Sequence, residues 1–175
     1  MPSSADAWSL WTDRFSEFLD AQAADADAAH DRAHVERVVT TARQLADAEG
    51  AQMDVVVPAA WLHDCVVLPK DHPDRAQASQ RAAEAARAFL EGEGYPEQWI
   101  PDIEHAIAAH SYSGDVVPET TEAKVVQDAE LDHVYAKLLR LPDTMQTKAG
   151  RTAAQKRAGF VRSYLNQLAS ELDSV

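Results

Sequence analysis

The run from Val55 to Cys65 is apolar on nearly every side of a helix, and near its end stands the pair His63-Asp64. A helix that is apolar all round cannot lie on a surface, so other elements must wrap around it. Asp64 is the awkward residue of this segment. A carboxylate beside so apolar a helix is costly unless something pairs with it, and a metal ion is the strongest partner available. Alternatively, Asp64 caps a neighbouring helix while His63 hydrogen-bonds in the core. The dipeptide alone does not separate the two.

The rest of the chain supplies helices to cover that element. Its 175 residues suit one domain with a sizeable core better than two. Alanine dominates the apolar residues and there are only 6 glycines, a composition that favours helix because alanine loses no rotamer freedom there. Helical spacing predicts a first helix from about Asp6 to Ala21, whose stripe of Trp8, Trp11, Phe15, Phe18 and Leu19 docks on the core. A second runs from Asp31 to Glu49 and stops at Gly50. The third is the apolar run, with Asp54 as its cap and Pro58 in or near its first turn. Further helices are expected at Asp74 to Glu91, Pro96 to His110, Glu119 to Asp128, Leu131 to Leu141 and Lys148 to Leu172, with Pro142 between the last two. The Ala/Asp-rich stretch from Ala21 to Ala29 reads as a flexible loop. The expected fold class is all-α.

Charge and cysteine content exclude several functions. The net charge of −13 argues against a broad duplex-binding surface, though a buried cation and a few basic groups can reverse the potential inside a cleft. Cys65 is the one cysteine, so no intrachain disulfide can form. The acidic N-terminal stretch carries no secretory pattern, and no run of apolar residues is long enough to span a membrane. A cytoplasmic location is the expectation.

Histidines carry the remaining information. His30 and His34 sit four apart and can share a helix face, a spacing similar to the zincin pattern, but Asp31 stands where that pattern needs a glutamate and no third ligand follows. His30 can equally lie before the helix, with Asp31 as its cap. His105 and His110 point some 140° apart on one helix; His110, at the C-terminal end, is the better candidate for function, and His105 reads as structural or exposed. Asp128, taken alone, is an ordinary polar position on an amphipathic helix. Gly94-Tyr95-Pro96 reads as a helix stop followed by a helix start.

Together these residues resemble the HD-domain metal-dependent phosphohydrolases, in particular the small single-domain bacterial branch. The family signature of a His, a distant His-Asp pair and a distant Asp falls on His34, His63-Asp64 and Asp128. The flanks match as well: Ala29-His30-Asp31-x-x-His34-x-x-Arg37-Val38, Ala60-Trp61-Leu62-His63-Asp64, Ala106-Ile107-Ala108-Ala109-His110-Ser111, and Glu122 to Ala129. One departure stands out. In relatives the last Asp opens a segment of several dozen residues, often Asp-Ala-Asp-x-Leu-Asp followed by Gly-Ala-rich sequence, which covers part of the site. Here Asp128-Ala129-Glu130 runs straight into Leu131-Asp132-His133, so a lid-like segment is missing between 130 and 131. Either the chain has lost it or the sequence as read omits it, and the intact flanks favour the second.

The resemblance implies a compact multi-helix bundle over 1–175 with a metal site in its centre, held by His34, His63, Asp64 and Asp128. Two imidazoles and two carboxylates suit one divalent ion among Mn, Fe, Mg, Ni and Zn. Catalytic roles are expected for Asp64, Asp71 and His110, and substrate contacts for Lys70, His72, Arg75, Lys124 and Arg37. Lys70 can instead be a solvated loop residue, and Arg37 can simply pair with a carboxylate. The implied activity is metal-assisted hydrolysis of a nucleotide or other small phosphorylated substrate, with no duplex nucleic acid or membrane as partner and a monomer or homodimer as the assembly. A catalytically silent nucleotide sensor of the same fold and a helical interaction scaffold are the rival readings.

Overall fold

The computed structural model describes residues 4–22, 28–68, 72–112, 115–130, 139 and 141–172. Among these there are helices, 3-10 turns and loops and no strand. We label the α-helices α1 (Ser4–Gln22), α2 (Ala28–Glu49), α3 (Met53–Leu62), α4 (Ala78–Gly92), α5 (Ile100–Ala109), α6 (Thr121–Ala129) and α7 (Lys148–Leu172). The chain, read from its sequence as one domain, divides by its contacts into two compact units, Met1–Glu130 and Leu131–Val175.

In the first unit α3 is the axis, and it touches α1, α2, α4, α5 and α6. Every residue from Val55 to Leu62 is buried, the arrangement its all-round apolarity requires. The facing helices present small residues, among them Ala42 and Ala46 on α2, Ala106 and Ala109 on α5, and Ala123 on α6, all buried. Short side chains at the contacts let helix axes approach closely. The aromatic stripe of α1 packs inward: Phe15 meets Trp61 at 6.4 Å between ring centroids and Phe18 stacks on Phe89 at 4.2 Å.

Helix α3 differs from its sequence reading at both ends. It begins at Met53 behind Gln52, which makes no side-chain cap, so Asp54 lies inside the first turn instead of capping it. The backbone N–H of Gln52 donates to Glu122 Oε1 on α6 at 2.9 Å, so a distant residue does part of a cap's work. Pro58 falls in the helix interior, where it removes the N–H that would bond the carbonyl of Asp54. That carbonyl accepts instead from the hydroxyl of Tyr95 at 2.7 Å. The helix ends at Leu62, with His63 at the C-cap and Cys65 beyond it.

Other boundaries shift for similar reasons. The backbone of α2 is helical from Ala28, so Asp31 is not its cap. The expected start near Asp74 becomes a 3-10 turn, Arg75–Gln77, before α4, and a second one, Glu97–Trp99, precedes α5, whose start was expected at Pro96 or soon after. Thr120 caps α6 by accepting from the N–H of Ala123 at 3.1 Å. Gly50 and Gly94 both take positive φ, and the residue after each donates to the carbonyl five positions back, Ala51 to Ala46 and Tyr95 to Leu90. These are Schellman stops, so the Gly94-Tyr95-Pro96 sequence is helix punctuation.

The second unit contains α7. Residues 141–144 form a helical turn that includes Pro142, so the proline does not break helix there. Thr147 Oγ1 accepts from the N–H of Gly150 in the first turn of α7. The expected helix from Leu131 to Leu141, and with it the junction after Glu130, falls largely on residues outside the description.

Candidate metal centre

The ends of α3 and α5 carry the same device. His63 and His110 each occupy a helix C-cap, and each ring Nδ1 lies against the carbonyl oxygen three residues earlier, Ala60 at 2.8 Å and Ile107 at 2.7 Å. A carbonyl oxygen can only accept, so Nδ1 must carry the proton in both rings. Each neutral ring is thereby left with its lone pair on Nε2, and a ligating histidine commonly has its other nitrogen held by a backbone carbonyl in this way. The two ring centroids are 5.1 Å apart. Both residues are buried, His63 completely.

Two further groups converge on His63. From α2, His34 places its Nε2 3.3 Å from His63 Nε2. From the C-cap of α6, Glu130 places Oε1 3.0 Å from His63 Nε2 and 3.5 Å from His34 Nε2. Neighbouring ligands about 2.1 Å from an octahedral ion stand about 3 Å apart, so these separations suit three donors around one cation. Glu130 Oε1 is buried, and a buried carboxylate carries a desolvation cost that only a positive charge beside it offsets. His34, His63 and Glu130 therefore form a group that could hold a metal ion, and its two imidazoles and one carboxylate favour a borderline divalent ion over a thiolate-seeking one.

Asp64 stands beside this group. Its side chain is 47% exposed, with Oδ2 3.6 Å from His63 Nε2 and Oδ1 3.5 Å from His110 Nε2. It joins the buried centre to the solvent. Electrostatics follow from the geometry without a metal. Burial alone would lower the pKa of His63, but the charge of Asp64 and the contact with Glu130 outweigh it and raise the imidazole to about 9. Burial alone would raise the carboxyl of Asp64, yet His63 and His110 hold it well below its ordinary range. Glu130 is held down in the same way, against its burial, by His34 and His63.

Asp128, the expected fourth ligand, is not one of these three groups. It is exposed, and its Oδ1 accepts from the hydroxyl of Tyr112 at 2.9 Å, outside the group formed by His34, His63 and Glu130. Glu130 was open to discovery from the sequence, because the Asp-Ala-Asp pattern of the resembled family puts a second acid at this position. Tyr112 carried no such signal. Burial pushes its phenol up, as does the bond to Asp128, to about 12.

The remaining expected residues are spread around the unit. Arg37 and Lys124 are exposed on α2 and α6. His72 is half-buried and its Nδ1 accepts from the backbone N–H of Asp74 at 3.1 Å, a local turn contact. Lys70, Asp71 and the side chain of Arg75 lie outside the described residues. His105 is structural: its Nε2 accepts from the N–H of Glu119 at 3.0 Å and anchors the loop before α6. Gln127, which the sequence did not single out, donates from Nε2 to the carbonyl of Ala109 at 2.8 Å and ties α6 to the end of α5 beside His110.

Comparison with known proteins gives the same picture. The model of the HD domain family matches residues 32–134, which contain all of the residues placed in the centre above. The chain is 26% identical to the uncharacterized protein YpgQ of Bacillus subtilis (strain 168), over 86% of this chain and 88% of that one. That alignment runs over 186 positions, more than the 175 residues present here, so the relative holds residues with no counterpart in this chain. Among solved structures, a predicted HD superfamily hydrolase from an uncultured Thermotogales bacterium superposes with a TM-score of 0.57 at 25% identity, covering 90% of this chain and 91% of the other.

Proposed function

This chain belongs to the HD domain family, and we propose that it is a divalent-metal-dependent phosphohydrolase acting on a nucleotide or another small phosphorylated substrate. The observation that carries the reading is the convergence of Glu130 Oε1 and the Nε2 atoms of His34 and His63, 3.0 to 3.5 Å from one another. Those three groups would hold the ion, with Asp64 at the edge as the fourth protein group in reach. A divalent ion held there would acidify a water and offset charge on a phosphoryl group.

The chain's own residues supply the rest. Asp64 is ionised and half-exposed, so it can orient a water through an oxygen that faces solvent. His110 presents Nε2 towards Asp64 Oδ1 and can hold a proton at that atom for a leaving oxygen. Asp71 is a third candidate for proton handling. Lys70, His72, Arg75, Lys124 and Arg37 are the candidates for phosphate contacts, since ammonium groups and guanidinium forks suit phosphate oxygens. The name of the solved relative, a predicted hydrolase, supports the reaction class. Manganese, iron, magnesium, nickel and zinc all fit the donor set.

The reading is tested by metal analysis of the purified protein and hydrolysis assays on a panel of phosphate monoesters and nucleoside triphosphates. Wild-type protein should retain a divalent ion and release phosphate or pyrophosphate, and His63→Ala should abolish both. Failure to bind any divalent ion would overturn the proposal. Metal and nucleotide binding without turnover across the panel would favour the silent sensor.

A further inference from the structure

A few large apolar side chains reach solvent in the Met1–Glu130 unit. Among the described residues of that unit they are Leu10, Val67 at 66% exposure, Tyr112 at 54% and Val117 at 72%. All but Leu10 lie on the loops that follow α3 and α5, the two helices whose ends bring His63 and His110 together. Scattered surface hydrophobics need no explanation, but Tyr112 stands two residues past His110 and is anchored.

Tyr112 is also held still. Its hydroxyl donates to Asp128 Oδ1 at 2.9 Å. It thereby spans from the end of α5, two residues past His110, to the end of α6, two residues before Glu130. Both anchors belong to elements that shape the centre. A surface tyrosine usually keeps its rotamer freedom. This one is fixed by its polar end while about half of its surface still faces solvent. A ring fixed before binding loses less entropy when a ligand stacks on it.

Resting on the phosphohydrolase reading, we propose that Tyr112 is a stacking platform for a planar aromatic group of the substrate, so that the site selects phosphate esters bearing a ring, nucleotides included, over aliphatic ones. Stacking on an aromatic side chain tolerates any base, because every base has a π-face. Selection would therefore favour nucleotides as a class without choosing among bases. Asp128 is a positioning residue that holds the ring.

The test uses the Mn²⁺-loaded protein and two probes that differ only in the base, adenosine 5′-monophosphate and ribose 5-phosphate, with affinities measured by calorimetry. Wild-type protein should bind the nucleotide about tenfold more tightly than the sugar phosphate, within the range that base stacking gives. Tyr112→Ala should erase that preference and leave ribose 5-phosphate binding unchanged, while Tyr112→Trp should keep it. Tyr112→Leu, which retains bulk without a π-face, controls for folding and should behave like the alanine variant. If the alanine and leucine variants keep the preference, or weaken both probes equally, the platform is refuted and the phosphohydrolase reading stands. If wild-type protein binds neither probe, or both equally, the platform is refuted, and the phosphohydrolase reading is judged by its own metal and turnover assays.

Discussion

Buried Oε1 of Glu130 lies 3.0 Å from Nε2 of His63, although Asp128 two residues earlier is the acid that the family signature points to. Glu130 meets the two imidazoles, and Asp128 is engaged by Tyr112. Glu130→Gln should therefore weaken metal binding by at least about a hundredfold, since loss of an outer partner of a ligand alone costs 10–100-fold. Asp128→Asn should change metal affinity little. Manganese titration followed by electron paramagnetic resonance checks both variants, and the reverse ranking would move the fourth ligand back to Asp128.

Without metal, the same cluster predicts how stability depends on pH. His63 titrates at about 9 in the fold against an ordinary 6.5, because its burial is outweighed by Asp64 and Glu130. A raised folded pKa stabilises fully below the unfolded value and loses that contribution as pH rises through the folded one. The carboxyls of Asp64 and Glu130 are lowered from 3.8 and 4.5, so their contribution is present above those values and fades as the solution becomes more acidic. The melting temperature of metal-stripped protein should peak between roughly pH 5 and 6.5 and decline towards pH 9. Metal should bind more tightly as pH rises over that alkaline range, because His63 must lose its proton to become a ligand. Calorimetric melting in a chelator checks the first expectation and metal titration across pH the second. A flat alkaline profile that His63→Gln does not alter would contradict the assignment.

Legibility in the sequence followed physical locality. The central helix could be read because no local arrangement hides an element apolar on all sides. His63-Asp64 could be read because a carboxylate at such a place demands a partner. Glu130 was harder, since the choice between two acids depends on where a helix ends, and the residues that follow depart from the resembled family. The start of α3 was misplaced because Glu122, seventy positions away, accepts the N–H of Gln52 and removes the need for a local cap. Tyr112 was illegible for the same reason: its tether to Asp128 exists only once α5 and α6 are packed.

Tyr95 offers a test of how that central helix tolerates Pro58. Proline leaves the Asp54 carbonyl without a helical donor, and the Tyr95 hydroxyl supplies one at 2.7 Å. Tyr95→Phe should cost about 1–3 kcal/mol, the penalty for stranding a buried acceptor. Pro58→Ala restores a backbone N–H that can reach the same carbonyl, so Tyr95→Phe should cost less in that background. Denaturant melts of the four proteins form a double-mutant cycle. Equal costs in both backgrounds would show that the hydroxyl does not replace the missing helical donor.

Gln127 links stability to the metal centre. Its side-chain amide donates to the carbonyl of Ala109, the residue before His110, and Gln127 itself sits one helical turn before Glu130. The bond thus fixes the end of α6 against the end of α5, the two termini that deliver Glu130 and His110. Gln127→Leu leaves a buried carbonyl without its donor and should cost about 1–3 kcal/mol, a fall of about 2–4 °C in melting temperature per kcal/mol in a chain of this size. It should also weaken metal binding by up to about tenfold, the lower end of the range for groups that orient ligands. Gln127→Lys keeps an N–H donor at similar reach and should lose less on both measures. If the leucine variant melts lower but binds metal like the wild type, the contact is one of stability alone, and Glu130 is positioned by the rest of α6.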